Sequence, residues 1–260
     1  MAATARTQQQ LLFFIALCIG ASLDNLAGGI RSAAKELEER GEEERIGGLE
    51  SYVRKSGFRP NSRVVILISD VFGFERPHLR MIADKVAAAG FYPVVPDFFD
   101  GDAYTSDQNM TKWYKNHKTD GKYKDVKTII DSLERKGVTK FGVAGFCWGG
   151  KVAIEVLNKD SRVDTGVLLH PSFVNHTDIE KVNSPIAILG GGKDNLTTPA
   201  TIKEFDKILE TKPNVDSYVK IFPKAEHGWT LGYNETDKRA VRRAEKAHKI
   251  MLKWFAKHLK

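Results

Sequence analysis

Cys147 has the most specific chemical setting in this sequence. It stands in Gly145-Phe146-Cys147-Trp148-Gly149, after the strand-like run 141–144 and ahead of the helical pattern 151–157. With sulfur in place of a serine oxygen, the segment fits the G-x-S-x-G nucleophile elbow, a sharp strand-to-helix turn that lifts one side chain above the edge of a sheet. The flanking glycines suit that turn, since a Cβ at either position would collide with neighbouring backbone. A helix N-terminus also favours a thiolate, because its free N–H groups and dipole stabilise negative charge. The competing reading is an inert buried cysteine, common for this residue type. Glycine spacing, preceding strand and following helix together favour the nucleophile.

A nucleophilic thiol needs a base, and the base needs a group to orient it. In elbow enzymes the chain order is nucleophile, acid, histidine. Asp194 ends Gly190-Gly191-Gly192-Lys193-Asp194, just past the apolar run 185–189. That places it in a loop at the carboxyl edge of a strand, where catalysis gathers in open α/β sheets. Its alternative is an Asx turn or a cap before Thr198. His227, in Ala225-Glu226-His227-Gly228, follows the last strand-like run and completes the order; its alternative is a surface histidine. His170 also follows a strand-like run, but it precedes the acid.

The elements that must position these residues follow from hydrophobic periodicity. Residues 46–53 alternate like an edge strand, and 64–68 form a continuous β-branched run of the kind buried on both faces. Further strands are predicted at 91–95, 141–144, 166–169, 185–189 and 215–222. Helices are predicted at 79–86, 125–136, 151–157, 202–209 and 238–259. Strands alternating with helices specify a mostly parallel sheet with helices on both faces. No Gly/Ser-rich linker or internal repeat interrupts the run from Ile46 onward, so residues 46–260 read as one α/β domain.

Length and composition agree with this. The chain has 260 residues, 42% hydrophobic and 28% charged, which excludes wholesale disorder. The net charge of +7 resembles a nucleic-acid binder's until the charge is located. Residues 238–260 carry nine Lys or Arg against Glu245 alone, and the remainder sums to −1. The basicity is thus the solvent face of one amphipathic helix, and no nucleic-acid partner is expected. The two cysteines, Cys18 and Cys147, have no Cys/His cluster of ligand spacing near them, so no metal is expected and Cys147 reads as a free thiol.

Residues 11–19 form an uncharged apolar run after Arg6, ending in Gly20-Ala21-Ser22. The run falls short of the ~20 apolar residues that span a bilayer. It predicts a secretory signal over 1–22 and no stable membrane anchor; a cytoplasmic enzyme with an N-terminal extension is the alternative. Residues 23–45 read as a charged extension, a solvated helix or linker. Four N-x-[ST] sequons, at Asn109, Asn175, Asn195 and Asn234, fit a secreted glycoprotein.

From Ile46 to the C-terminus the sequence resembles the dienelactone hydrolase (carboxymethylenebutenolidase) family of α/β-hydrolases, most of all its plant members. The matching pieces are Gly47-Gly48-Leu49, Ser69-Asp70-Val71-Phe72-Gly73, Ala88-Ala89-Gly90-Phe91, Val95-Pro96-Asp97-Phe98-Phe99, the cysteine elbow through Gly150, His170-Pro171-Ser172 and His227-Gly228-Trp229-Thr230. The resemblance implies an α/β-hydrolase fold with Cys147 as nucleophile, His227 as base and Asp194 as its partner. It also implies an oxyanion hole from the backbone N–H groups of Val71 and Trp148. Asp70 stands where bacterial members carry a glutamate that meets the resting cysteine. The arginines with which those members hold a substrate carboxylate are missing from 98–104 and 228–233, so an acidic lactone is not implied. Asp70, Trp229 and Tyr233 are the candidate pocket residues, and the aromatic loops that include Phe98, Phe99 and Trp148 suggest an apolar or sugar-stacking mouth. Core packing is the equal alternative for Phe98 and Phe99.

The expected activity is hydrolysis of a small ester or lactone without cofactor. Some plant relatives are described as endo-1,3;1,4-β-D-glucanases, so a cell-wall glucan hydrolase is the first alternative, although glycosidases generally use two flanking carboxylates. Non-catalytic binding of a small ligand is the second, with a carbohydrate the other candidate substrate beside the ester or lactone.

Overall fold

The computed structural model describes residues 41–54, 59 and 62–260. The expected signal over 1–22, Cys18 and residues 23–40 of the charged extension lie outside the described residues.

Eight strands form one sheet in the order β1-β2-β4-β3-β5-β6-β7-β8. They are β1 (Glu42–Ile46), β2 (Leu49–Val53), β3 (Arg63–Ile68), β4 (Tyr92–Pro96), β5 (Lys140–Phe146), β6 (Val163–Leu169), β7 (Ile186–Gly191) and β8 (Ser217–Phe222). β2 pairs antiparallel with β1 and β4; every other pairing is parallel. The helices are α1 (Pro77–Ala88), α2 (Met110–Asn116), α3 (Tyr123–Glu134), α4 (Trp148–Lys159), α5 (His176–Glu180), α6 (Pro199–Glu210) and α7 (Lys238–His258).

β3 shows how the pattern makes the layers. Val64, Ile66 and Ile68 face the α3–α4–α6 side, whereas Val65 and Leu67 face α1 and α7. Period-two alternation of apolar residues on both faces needs cover on both, and the helices supply it. α7 buries Ala244, Ala247, Met251 and Phe255 against the sheet and turns Lys238, Arg242, Lys246, Lys249 and Lys253 to solvent.

The amino-terminal edge differs from the expectation. Residues 46–53 are not one edge strand, and 42–45 are neither helix nor linker. Gly47 and Gly48, at φ 60° and 95°, turn the chain between β1 and β2. Two successive positive-φ residues are what a two-residue hairpin requires. The acidic run tolerates being a strand because it lies at the sheet edge, with Glu43 accepting from Arg80 at 2.6 Å and Glu44 from the Tyr92 hydroxyl at 3.3 Å. Two short helices also went unforeseen. α2 begins with Asn109 accepting from the Lys112 N–H, and α5 begins with an Asn175–Asp178 capping box.

Candidate active site

Cys147 closes β5 and opens α4, with φ 49° and ψ −112°. A non-glycine residue rarely adopts this region, and it persists only where the surroundings over-determine it. The surroundings here are backbone. The Cys147 N–H donates to Leu169 O at 3.2 Å, and its carbonyl accepts from Gly150 and Ser172 at 2.9 Å each. A Cβ on Gly145 would stand inside contact distance of Gly149 O, and one on Gly149 inside that of Ile68 O. The elbow therefore fits only because two glycines let strand and helix approach.

Asp194 and His227 lie in the loops after β7 and β8, at the same carboxyl edge. His227 Nδ1 donates to Asp194 Oδ2 at 2.8 Å, and the other Asp194 oxygen accepts from the N–H groups of Leu196 and Thr197 at 2.8 and 3.1 Å. The expected Asx turn is thus present as well, and it uses the oxygen that the imidazole does not. Ser172 Oγ lies 3.4 Å from His227 Nε2 and 3.5 Å from Cys147 Sγ. Burial alone would push His227 down. Its interactions with Cys147 and Asp194 outweigh burial and hold the imidazole well above its ordinary value. The structure thus brings Cys147, Asp194 and His227 into one cluster, with Cys147 8% exposed.

His170 is fully buried. Its Nε2 hydrogen-bonds Thr230 Oγ1 at 2.7 Å, and its ring stands edge-on to His227 with centroids 5.2 Å apart. Burial first, then the charge of His227, holds it well below the ordinary histidine value. A neutral imidazole at that place packs the base without competing for its role.

Asp70 also reaches the cluster. Its carboxylate pairs with Arg76 and accepts from the Phe72 N–H at 3.1 Å. Burial raises its pKa, against the opposing charges of Arg76 and His227. Of the other expected pocket residues, Trp229 is 6% exposed and packs on Phe222, with ring centroids 4.5 Å apart. Tyr233 is half-buried and stacks on His78 with centroids 4.1 Å apart. Phe98, Phe99 and the Trp148 indole are core: each is 2% exposed or less, and Trp148 Nε1 donates to His117 O at 2.9 Å. Of the expected aromatic mouth, Trp229 too is buried in the core, and Tyr233 alone is partly exposed. Trp148, as the first residue of α4, has no intrahelical acceptor for its N–H, and Val71 follows Asp70 just past the end of β3.

Two neighbours of the cluster escaped the sequence reading. Ser172 follows β6 in the His170-Pro171-Ser172 segment, and its place at a strand's carboxyl edge was the available signal. Arg76 lies six residues after Asp70, just before the proline that opens α1, and its pairing is a tertiary contact without a sequence mark. Among the described residues no group of three or more His, Cys, Asp or Glu side chains could hold a metal, and no helix is long and apolar enough to cross a membrane.

Residues 50–259 match the model of the dienelactone hydrolase family. The chain belongs to that family. It is accordingly a hydrolase in fold and lineage, as the resemblance implied. An endo-1,3;1,4-beta-D-glucanase of Zea mays is 41% identical over 183 residues, which cover 70% of this chain and 59% of that protein. A carboxymethylenebutenolidase homolog of Xenopus tropicalis is 29% identical over 86% of this chain and 93% of its own length. Among solved structures, a Klebsiella pneumoniae protein assigned to the dienelactone hydrolases superposes with a TM-score of 0.71 at 19% identity, over 84% of this chain and 98% of the other. This chain shares the α/β-hydrolase fold with that structure.

Proposed function

We propose that the protein hydrolyses carboxylic esters or lactones through Cys147, His227 and Asp194, by way of a thioester. The observation that carries the reading is a cysteine held at positive φ on a helix N-terminus, in the same cluster as an imidazole bonded to a buried carboxylate. The Cys147 thiolate attacks the acyl carbonyl, and the N–H groups of Trp148 and Val71 receive the oxyanion. His227 Nε2 gives its proton to the departing alkoxide. A water, deprotonated by the same nitrogen, then attacks the thioester and releases acid and thiolate. Each oxyanion donor is worth ~3–4 kcal/mol of transition-state stabilisation. Arg76 is paired with Asp70, and that neutralised pair favours an uncharged acyl group. The test is hydrolysis of para-nitrophenyl esters and simple lactones: Cys147→Ala should lose activity at least a thousandfold, and unchanged turnover would remove the proposal.

The identity to the maize glucanase favours a second reading, a mixed-linkage glucan hydrolase. The carboxylates fit it poorly, since Asp194 is committed to His227, Asp70 to Arg76, and Glu75 is exposed. Reducing sugar released from the glucan by Cys147→Ala at the wild-type rate would support it. Secretion belongs to the same proposal. The apolar run 11–19 and the exposure of all four sequon asparagines support it, and the intact mass of protein from its native source tests it.

A further inference from the structure

We propose that Ser172 is a positioning residue that keeps the Cys147–His227 pair in its charge-separated form. Its hydroxyl donates to the thiolate and takes the imidazolium Nε2–H on its lone pair. The inference rests on the proposed role of Cys147 as nucleophile.

Three independent features carry it. First, the Ser172 hydroxyl is the one side-chain group hydrogen-bonded to both partners among the described residues, at 3.5 Å from Sγ and 3.4 Å from Nε2. Second, its backbone is tied to both halves of the site. The Ser172 N–H donates to Cys147 O at 2.9 Å, while Pro171 O accepts from Thr197 Oγ1 at 2.5 Å. The Thr197 N–H in turn holds Asp194 Oδ1 at 3.1 Å. Third, the residues on either side of the Pro171–Ser172 pair sit at positive φ, His170 at 39° and Phe173 at 62°. Strain at two non-glycine positions in one short loop is sustained only where the surrounding structure fixes the segment, and such strain clusters at functional sites.

The physical need is clear. A thiolate at Cys147, a residue 8% exposed, has little water to solvate it, and with the imidazolium Nε2–H on the Ser172 oxygen the sulfur needs another donor. The Ser172 hydroxyl, on a residue 2% exposed, supplies it. The other titratable or charged groups around the pair are committed elsewhere: Asp194 to His227 Nδ1, Asp70 to Arg76, and His170 to Thr230.

The experiment follows alkylation of Cys147 by iodoacetamide across pH, read by mass on the Cys147 peptide of the full-length protein. It compares wild type with Ser172→Ala, Ser172→Thr and Ser172→Val, and runs para-nitrophenyl ester kinetics in parallel. The Ala and Val variants should move the alkylation midpoint up by about one to two pH units, as expected for losing a hydrogen bond to a charged group. They should lower kcat ten- to a hundredfold with KM within about twofold. Thr keeps the hydroxyl and should restore the midpoint to within about half a unit. Thr and Val are isosteric, so their comparison decides the matter even if Ala destabilises the fold. Coincident profiles for Thr and Val would overturn the role of Ser172. Alkylation needs no substrate, so a Cys147→Ala variant that still hydrolyses ester would strike the proposed function and leave the Ser172 result to stand or fall by itself.

Discussion

The two sides of the site are held in different ways. On the elbow side, residues 145–150 and 171–172 are locked by backbone: carbonyls packed against glycines, and peptide N–H groups closing on Cys147 O. On the rim side, the 70–78 and 228–235 loops are joined largely by side chains. Arg76 pairs with Asp70 and lies over the Phe72 ring at 4.7 Å, while His78 reaches Leu231 O at 2.8 Å and Glu235 at 3.0 Å and stacks on Tyr233. A Cβ cannot be added at Gly145 or Gly149 without moving the backbone that carries Cys147. Side-chain contacts can be exchanged one at a time, so under the proposed function the rim is the side on which substrate preference would change.

A glycine-to-alanine change on each side should separate the two kinds of support. Gly149→Ala places a methyl inside contact distance of Ile68 O, and the strand cannot retreat without shifting the sheet. It should cost about 3 kcal/mol or more, visible as a large drop in melting temperature or loss of soluble protein. Gly232→Ala meets only the end of the Arg76 side chain, at 2.8 Å, and a guanidinium can move. Its expected cost is about 1 kcal/mol or less, with a few-fold change in KM as the Asp70 pair loosens. Equal effects from the two would remove the distinction.

A pH titration falls between them in size. His248, on α7 behind the rim, hydrogen-bonds Thr230 O at 3.0 Å, and burial lowers it from 6.5 to about 4. Its folded-state value is depressed, so its contribution is fully present above pH 6.5 and is lost as pH falls toward about 4. The ceiling on that loss is about 3 kcal/mol, at 1.36 kcal/mol per unit. His170, depressed by burial too, acts in the same direction, whereas Asp70, raised by burial, acts in the opposite one. Melting curves from pH 7 to pH 4 should fall, and His248→Gln should flatten the decline. An unchanged slope in the variant would place the acid sensitivity elsewhere.

The same contrast governs what could be read from the sequence. The elbow was legible because its demands are local: two glycines, a strand run and a helix run identify Cys147, and chain order then finds Asp194 and His227. The central strands were legible because burial on both faces leaves a continuous β-branched run. The β1–β2 hairpin was not, since a run of glutamates and an arginine carries no strand pattern and is stabilised by distant Arg80 and Tyr92. Short capped helices such as α2 and α5 fall below the length at which periodicity shows. Arg76 and the burial of Phe98 and Phe99 are tertiary facts, set by what the loops pack against.

The central claim is that Cys147 sulfur becomes acylated during turnover. Rapid quenching of the protein with excess para-nitrophenyl ester, followed by peptide mass analysis, tests it directly. Acylation of Cys147 predicts an early burst of nitrophenol and a matching acyl adduct on the Cys147 peptide, absent from Cys147→Ala. Steady hydrolysis with no burst and an unmodified Cys147 peptide would contradict it.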